Sequence, residues 1–89
     1  MVYELFYSEK SIKQLEKLDK QLQERIISTL ERCRIRPHVH VKKLVSNHYF
    51  SLRVGDYRVI LSINNNELRI LVVEVGHRRN VYDYLCLTS

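Results

Sequence analysis

The stretch from Tyr49 to Tyr82, YFSLRVGDYRVILSINNNELRILVVEVGHRRNVY, decides the fold of this 89-residue chain. It holds three apolar runs of strand length with turn residues between them, which predicts three consecutive antiparallel strands. We place these strands at His48–Val54, Tyr57–Ile63 and Glu67–Val75. The last run is almost wholly apolar, so we expect it inside the sheet. Gly76 is expected to end it, ahead of a basic loop.

The first part of the chain is predicted to be a strand followed by helices. Val2–Tyr7 is rich in aromatic and branched residues, as strands are. Ser8 can cap a helix, and apolar residues recur at steps of three and four over Ile12–Cys33. One straight helix over the whole run would measure about 40 Å, more than the roughly 30 Å diameter of a globule of this size. We therefore expect a bend or hairpin at the polar gap Asp19–Gln21.

Pro37 is expected to end the helical part. His38–Val45 then forms a further strand or an extended segment, and Ser46-Asn47 a turn. Val81–Leu87 is either an extended tail or one helical turn. These assignments predict an α+β fold, with an N-terminal strand and a two-helix hairpin packed on a twisted antiparallel sheet, in a single domain over residues 1–89.

Two short polar segments connect the three strands. Gly55-Asp56 has the length and composition of a two-residue hairpin loop. Asn64-Asn65-Asn66 supplies residues that tolerate a positive φ, which suits the second turn. Because side chains alternate along a strand, Arg53 and Arg58 are expected close together on the sheet face away from the helices.

The composition is that of an ordered globule, 45% hydrophobic and 28% charged with two glycines and one proline. No apolar run approaches the roughly 20 residues that span a bilayer, and the first residues lack the features of a signal peptide. We therefore expect a cytoplasmic protein without a membrane partner. Cys33 and Cys86 are interpreted as buried apolar side chains in a reducing compartment. His38 and His40 have no carboxylate or cysteine nearby in sequence, so neither a metal nor another cofactor is expected.

The net charge of +5 is unevenly distributed. The segment 1–31 holds five Lys and Arg against six Asp and Glu, whereas the segment 32–80 holds ten against three. A basic half joined to a near-neutral half favours a phosphate-bearing or acidic partner on one face. A solubilising surface charge with no partner is the alternative.

Arginines carry the candidate chemistry. Arg53, Arg58 and Arg78 are expected on one surface, where three guanidinium groups repel one another unless an anion lies between them. The planar guanidinium matches phosphate oxygens and stays charged. With Tyr82 and His77, these arginines could hold an RNA phosphodiester while the ribose 2′-hydroxyl attacks the adjacent phosphate.

Other basic residues extend this candidate surface, and each has a plainer interpretation. Lys42 and Lys43 either contact backbone phosphates or discourage aggregation at a sheet edge. Arg79 is either a phosphate ligand or a solvent-exposed charge. His77 could be an ordinary turn histidine, and Tyr82 could bury its ring and expose only its hydroxyl.

The order of elements resembles that of the RelE/ParE superfamily of small bacterial and archaeal toxins. Two segments carry the resemblance, LRVGDYRVI at Leu52–Ile60 and VGHRRNVY at Val75–Tyr82. The resemblance covers nearly the whole chain and implies a toxin of a type II toxin–antitoxin pair with a RelE-like fold. It also implies phosphate binding, transition-state stabilisation and general acid or base roles for Arg58, Arg78 and Tyr82. Arg53 matches a basic strand position of the family.

The resemblance implies metal-free cleavage of messenger RNA in the ribosomal A site. Its partners would be an acidic RelB-like antitoxin, the ribosome with its mRNA, and operator DNA only through the antitoxin. An antitoxin helix is expected on the sheet or on the helical face, with an apolar groove beside the basic residues.

The chain departs from the family pattern in one respect. Some RelE toxins carry lysines on the strand before the hairpin, where this chain has Tyr49–Ser51. His77, or Lys42 and Lys43, would have to substitute for them. Two alternatives therefore stay open, a ParE-like DNA gyrase inhibitor without nuclease activity and a catalytically weak toxin that acts mainly in an antitoxin complex.

Overall fold

The structure is a computed structural model that describes residues 2–44 and 48–77. Its elements in chain order are β1 (Glu4–Tyr7), α1 (Glu9–Glu16), α2 (Lys20–Cys33), α3 (Pro37–His40), β2 (Lys42–Lys43), β3 (Phe50–Val54), β4 (Tyr57–Asn64) and β5 (Arg69–His77). The strands form one sheet in the order β1-β5-β4-β3-β2. Neighbours from β2 to β5 are antiparallel, and β1 joins β5 in parallel. The predicted α+β fold is confirmed, while the predictions at Ser46-Asn47, Val81–Leu87 and Cys86 lie outside the described residues.

Side-chain caps divide the helical part into two. Ser8 caps α1, since its Oγ accepts a hydrogen bond of 3.1 Å from the Ser11 amide. Asp19 caps α2, since its Oδ1 accepts a bond of 2.9 Å from the Leu22 amide. Both caps are extended and satisfy amides that a helix start leaves without an intrahelical acceptor. The predicted break near Asp19 is therefore confirmed.

The segment after α2 differs from the prediction. Pro37 begins α3 instead of ending the helical part, because proline suits the first helical position, where no amide hydrogen is needed. The segment from His38 was expected to be a strand or extended, and in its described part, residues 38–44, the strand is limited to Lys42–Lys43. His38 and His40 therefore share a helical turn and not a strand face. The His38 Nε2 lies 2.8 Å from the Oδ1 of Asn65, which ties α3 to the β4–β5 turn.

The two turns reach positive φ in different ways. Gly55 has φ +59 and Asp56 does not, as in a type II′ hairpin, so the predicted hairpin loop is confirmed. In the β4–β5 turn the residue with positive φ is Leu68, at 55°, and none of the three asparagines. The Asn64 Oδ1 instead accepts bonds of 3.0 Å from the amides of Asn66 and Glu67. The asparagines thus shape the turn through a side chain and not through a left-handed backbone.

The hydrophobic core lies between the helices and one face of the sheet. Its buried residues are Leu15, Ile26, Leu30, Cys33, Leu52, Val54, Val59, Leu61, Ile70, Val72 and Val75. Val72 and Val75 both belong to it although they are three residues apart. The register shows why, since Leu61 pairs with Val72 and Ile60 with Glu74, which leaves Val73 as an extra residue in a β-bulge. The bulge therefore shifts the alternation of side chains in the second half of β5.

Helix α1 covers the edge of β5 where β1 has ended. The paired residues of β1 reach only to Val72. Beyond that point the Ser8 Oγ donates to the Val73 carbonyl at 2.8 Å, and the Val75 amide donates to the Gln14 Oε1 at 2.7 Å. Side chains of α1 thus satisfy main-chain groups that would otherwise form an open sheet edge. None of the described helices is long and apolar enough to cross a membrane.

Gln14→Ala should lower the free energy of unfolding by about 1 to 2 kcal/mol, because it removes the acceptor of a partly buried amide. Urea denaturation of the purified protein measures this change. Gln21→Ala is the matched control, since Gln21 is an exposed glutamine on α2 and should change stability by less than about 0.5 kcal/mol. Equal losses for the two variants would show that the edge contact does not stabilise the fold.

Candidate functional site

Arg53 and Arg58 lie directly opposite each other on β3 and β4. Val54 and Tyr57 flank the hairpin loop, so the arginines form the next pair along the ladder, where Cα atoms are only about 4.5 Å apart and side chains are close. We call their side of the sheet the arginine face; it also carries Ser51 and Ile60 and is opposite to the core. The predicted juxtaposition of the two arginines is confirmed.

No carboxylate within residues 2–44 and 48–77 forms an ion pair with either arginine. The described residues form three ion pairs, Lys10–Glu74, Arg34–Glu31 and Arg69–Glu67, and neither Arg53 nor Arg58 takes part in them. The Arg53 Nε makes a long contact of 3.4 Å with the Gly55 carbonyl. The Arg58 Nε is buried and has no hydrogen-bond partner. Like charges opposite each other destabilise a sheet, and an unpaired buried donor costs about 1 to 3 kcal/mol. An anion bound between the guanidinium groups would relieve both penalties.

The register separates the two lysines of β2. Lys42 pairs with Ser51, which belongs to the arginine face, whereas Lys43 pairs with Phe50, which packs against the core. Since paired residues point to the same side of a sheet, Lys42 lies on the arginine face and Lys43 on the other. Both lysines are exposed. Of the two candidate phosphate contacts on β2, the structure brings only Lys42 to the face of Arg58.

The structure does not bring His77 to the arginines. His77 pairs with Tyr57, and their rings meet edge to face with centroids 5.5 Å apart. Tyr57 packs against the core, so His77 lies on the opposite face from Arg58. The cause is the bulge at Val73, because uninterrupted alternation would have put His77 on the arginine face. Arg58 pairs with Gly76 instead. The other predicted site residues, Arg78, Arg79 and Tyr82, lie outside the described residues.

Arg25 of α2 is a third arginine at this hairpin. Its Nη1 lies 3.3 Å from the position that a Cβ on residue 55 would occupy. The sequence analysis did not predict a role for Arg25, because this residue is thirty positions from the loop and reaches it only through a tertiary contact. The sequence does contain one indication of this contact, because a glycine in a loop permits the close approach of another side chain. We call Arg25, Arg53 and Arg58 the hairpin arginines.

The apolar groove expected beside the basic residues lies on the helical side. It is a depression of about 240 Å³ between α1 and α2, lined by Tyr7, Ile12, Leu15, Glu16, Gln23 and Ile27. Ile12 and Ile27 are 44% and 40% exposed, high values for isoleucine. Within residues 2–44 and 48–77, no three His, Cys, Asp or Glu side chains are grouped to hold a metal ion.

Burial raises the pKa of the Tyr7 hydroxyl, and the Glu31 carboxylate adds to the increase. A raised pKa in the folded state means that the unfolded chain ionises first as the pH increases. The contribution of this hydroxyl to the free energy of unfolding is therefore fully present below the unfolded pKa of about 10. It is lost as the pH rises above that value. Tyr7→Phe should make the free energy of unfolding fall less steeply above about pH 10. Denaturant melts from neutral to alkaline pH test this, and parallel curves for the two proteins would contradict it.

The chain is similar to known proteins both in sequence and in fold. The profile of the family described as "ParE toxin of type II toxin-antitoxin system, parDE" matches residues 5–82. A RelE-like toxin protein from Escherichia coli is 32% identical over 81 residues, which is 88% of this chain and 85% of that protein. Toxin RelE3 of Methanocaldococcus jannaschii is 27% identical and is matched over 96% of its length by 90% of this chain.

Solved structures show the same architecture. The RelE–RelB complex from Pyrococcus horikoshii superposes with a TM-score of 0.77 at 26% identity, over 88% of this chain and 97% of that one. The RelBE2 complex from Mycobacterium tuberculosis gives a TM-score of 0.81 at 21% identity, over 88% of this chain and all of that one, a likeness of fold alone. The profile match over most of the length and the sequence relatives show that the chain belongs to the RelE/ParE superfamily of type II toxin–antitoxin toxins.

Proposed function

We propose that this toxin is a ribosome-dependent endoribonuclease that cleaves mRNA in the ribosomal A site without a metal ion and so inhibits translation. The observation that supports it is the pair Arg53 and Arg58 on the arginine face. Neither arginine is paired with a carboxylate of the described residues, and the Arg58 Nε is buried without a hydrogen-bond partner. A sheet that needed only to fold would gain stability from losing one of these charges. The pair suits a phosphodiester that accepts hydrogen bonds from both guanidinium groups.

In the proposed reaction the ribose 2′-oxygen attacks the adjacent phosphorus. The bond from phosphorus to the 5′-oxygen of the next nucleotide breaks, which leaves a 2′,3′-cyclic phosphate and a free 5′-hydroxyl. The 2′-hydroxyl gives up a proton and the leaving oxygen gains one. Negative charge grows on the non-bridging oxygens, and Arg58 stabilises it most strongly at the transition state.

The remaining site residues take their roles from this reaction. We assign Arg78 to the second cation at the phosphorus and Tyr82 to proton transfer. Arg53, Lys42 and Arg79 would hold flanking phosphates, and Lys43 would contact RNA from the other side of the β2 edge. Because the His77 ring lies against Tyr57 on the other face, we assign His77 no contact with the phosphate at Arg58.

The proposed protein partner is an acidic RelB-like antitoxin. Relatives of this fold have been solved as toxin–antitoxin complexes. The groove between α1 and α2, with Ile12 and Ile27 exposed, suits the apolar stripe of an amphipathic helix. Acidic side chains of the same partner would neutralise the hairpin arginines, and operator DNA would be contacted through the antitoxin.

Two other functions each have an observation in their favour. A ParE-like inhibitor of DNA gyrase, without nuclease chemistry, is favoured by the family profile that matches. A catalytically weak toxin is favoured by the position of His77, which lies on the opposite face of the sheet from Arg58.

Primer extension on mRNA bound to purified ribosomes tests the proposal. Cuts should be seen when the protein is added to ribosomes with an empty A site. The cleavage rate should stay the same when the magnesium concentration is lowered to the level that just preserves the ribosomes. Double-strand breaks trapped on gyrase, with intact mRNA, would establish the gyrase function instead. An intact mRNA and intact DNA would establish the weak toxin.

A further inference from the structure

Arg25 reaches from the helical side of the molecule to the tip of the β3–β4 hairpin. It stands in the middle of α2, one residue before the fully buried Ile26. Its backbone is fixed by the helix, and its guanidinium lies against Gly55, with Nη1 3.3 Å and Cζ 3.7 Å from the Cβ position. The side chain thus extends the charge of the hairpin round the loop, away from the arginine face.

Two guanidinium groups meet at Gly55. The Arg25 guanidinium lies where a side chain of residue 55 would project, and the Arg53 Nε lies 3.4 Å from the Gly55 carbonyl oxygen. Both side chains are exposed. Each could turn into solvent to avoid the other, yet both lie against the same loop residue.

Arg25 has no acidic partner among the described residues. The positions three and four residues away on α2 are Gln21, Leu22, Ser28 and Thr29, none of them acidic. Arg34 on the same stretch of chain shows the contrast, because it forms an ion pair of 3.1 Å with Glu31 three residues before it. Asp56 is next to Gly55 in the loop but takes part in none of the three ion pairs.

Gly55 makes this arrangement possible. With φ +59 it adopts a backbone that other residues rarely take. Any side chain there would also come within 3.3 Å of the Arg25 guanidinium. The same glycine therefore forms the turn and leaves a surface on which Arg25 can lie.

We propose that Arg25 and Arg53 form a second phosphate-binding site at the hairpin tip, which holds the mRNA backbone beside the phosphate bound at Arg58. This inference rests on the proposed function and adds a binding residue to it. The ligand is an RNA phosphodiester, and the mRNA strand runs from the arginine face over the loop towards α2. Arg25 contacts a phosphate that does not react, so it is a binding residue and not a catalytic one.

The test compares Arg25→Ala with Arg32→Ala. Arg32 is an exposed arginine on the same helix, and seven residues place it on the same face, about 10 Å along the axis. Binding is measured on ribosomes that carry mRNA with a deoxynucleotide at the cut site, which cannot be cleaved. Arg25→Ala should weaken binding about tenfold at low salt and lower the slope of log K against log salt by about 0.7, the loss of one single-strand phosphate contact. Arg32→Ala should leave both within twofold of the parent.

Arg25→Lys keeps the charge and should recover most of the salt slope, which a merely structural role for Arg25 would not predict. A second set of ribosomes, with mRNA truncated after the P site, shows whether Arg25 contacts the mRNA or the ribosomal RNA. There the effect of Arg25→Ala should vanish. Persistence of the effect would place the contact on ribosomal RNA and overturn the assignment to the mRNA strand.

Equal salt slopes for Arg25→Ala and Arg32→Ala would overturn the second site outright. Failure of the proposed function has a different signature, because the parent then leaves cleavable mRNA intact in the primer-extension assay. A parent protein that binds the uncleavable mRNA without cutting the cleavable one still reports on Arg25, whereas a parent protein that does not bind programmed ribosomes overturns the second site as well.

Discussion

Replacing Arg58 by methionine is expected to slow mRNA cleavage strongly and to stabilise the fold at the same time. The cleavage rate should fall by a factor of about 100 to 1000, the usual effect of removing one transition-state donor. The free energy of unfolding should rise by about 1 kcal/mol, because methionine removes a like-charge pair and an unpaired buried donor while keeping an unbranched stem of similar length. The two changes have opposite signs because the proposed substrate supplies an anion that Arg58 does not find among the described residues.

Both parts of this expectation can be measured on one protein sample. Single-turnover cleavage on programmed ribosomes gives the rate, and urea denaturation gives the free energy of unfolding. Arg69→Met is the matched control, since Arg69 is exposed at the other end of β5 and is paired with Glu67 at 3.0 Å. It should cleave at the rate of the parent and be no more stable than the parent.

A cleavage rate for Arg58→Met close to that of Arg69→Met would remove Arg58 from the reaction. Loss of stability in Arg58→Met would have another meaning, namely that the Arg58 side chain makes contacts that support the fold. Activity often requires a strained site that lowers the stability of the protein. The Arg58→Met variant tests whether the arginine face is a site of this kind.

The hairpin is the part of the fold that sequence reasoning predicts best. Its signals are local, since Gly55 permits the turn and alternation of apolar residues on either side sets the register. The start of α2 was equally accessible, because Asp19 is a capping residue in a polar gap. The short helix at Pro37 was not, because proline both ends helices and begins them. Contacts such as that of His38 with Asn65 decide which occurs, and they join residues that are distant in sequence.

The candidate site was predictable wherever side chains alternate between the two faces of a strand without interruption. Arg53 and Arg58 are separated only by a two-residue loop and its flanking pair, so their juxtaposition follows from the sequence. His77 lies beyond the bulge at Val73, and one extra residue moves every later side chain to the other face. Nothing in the apolar run of β5 marks that residue in advance. Arg25 was hidden for another reason, since packing of α2 over the sheet is a tertiary contact with no local signature.

Leu61→Ala is expected to cause the largest loss of stability, about 3 kcal/mol. Leu61 is fully buried on β4 and is paired with Phe50 on one side and Val72 on the other. Hydrogen bonds to both neighbouring strands hold the backbone in place, so the sheet cannot close over the space that the side chain leaves. Removing it therefore costs the lost burial and a cavity as well.

The control for this prediction is Ile27→Ala on α2, because Ile27 is as large and apolar but is 40% exposed. Its truncation should cost less than about 1 kcal/mol, since little apolar surface leaves the interior. A domain is stable by only about 5 to 15 kcal/mol, so the loss at Leu61 should be visible as a clear shift of the urea midpoint. Equal costs at the two sites would mean that the core can relax around Leu61. In that case β4 would be too flexible to hold Arg58, three residues away, in one position against a phosphate.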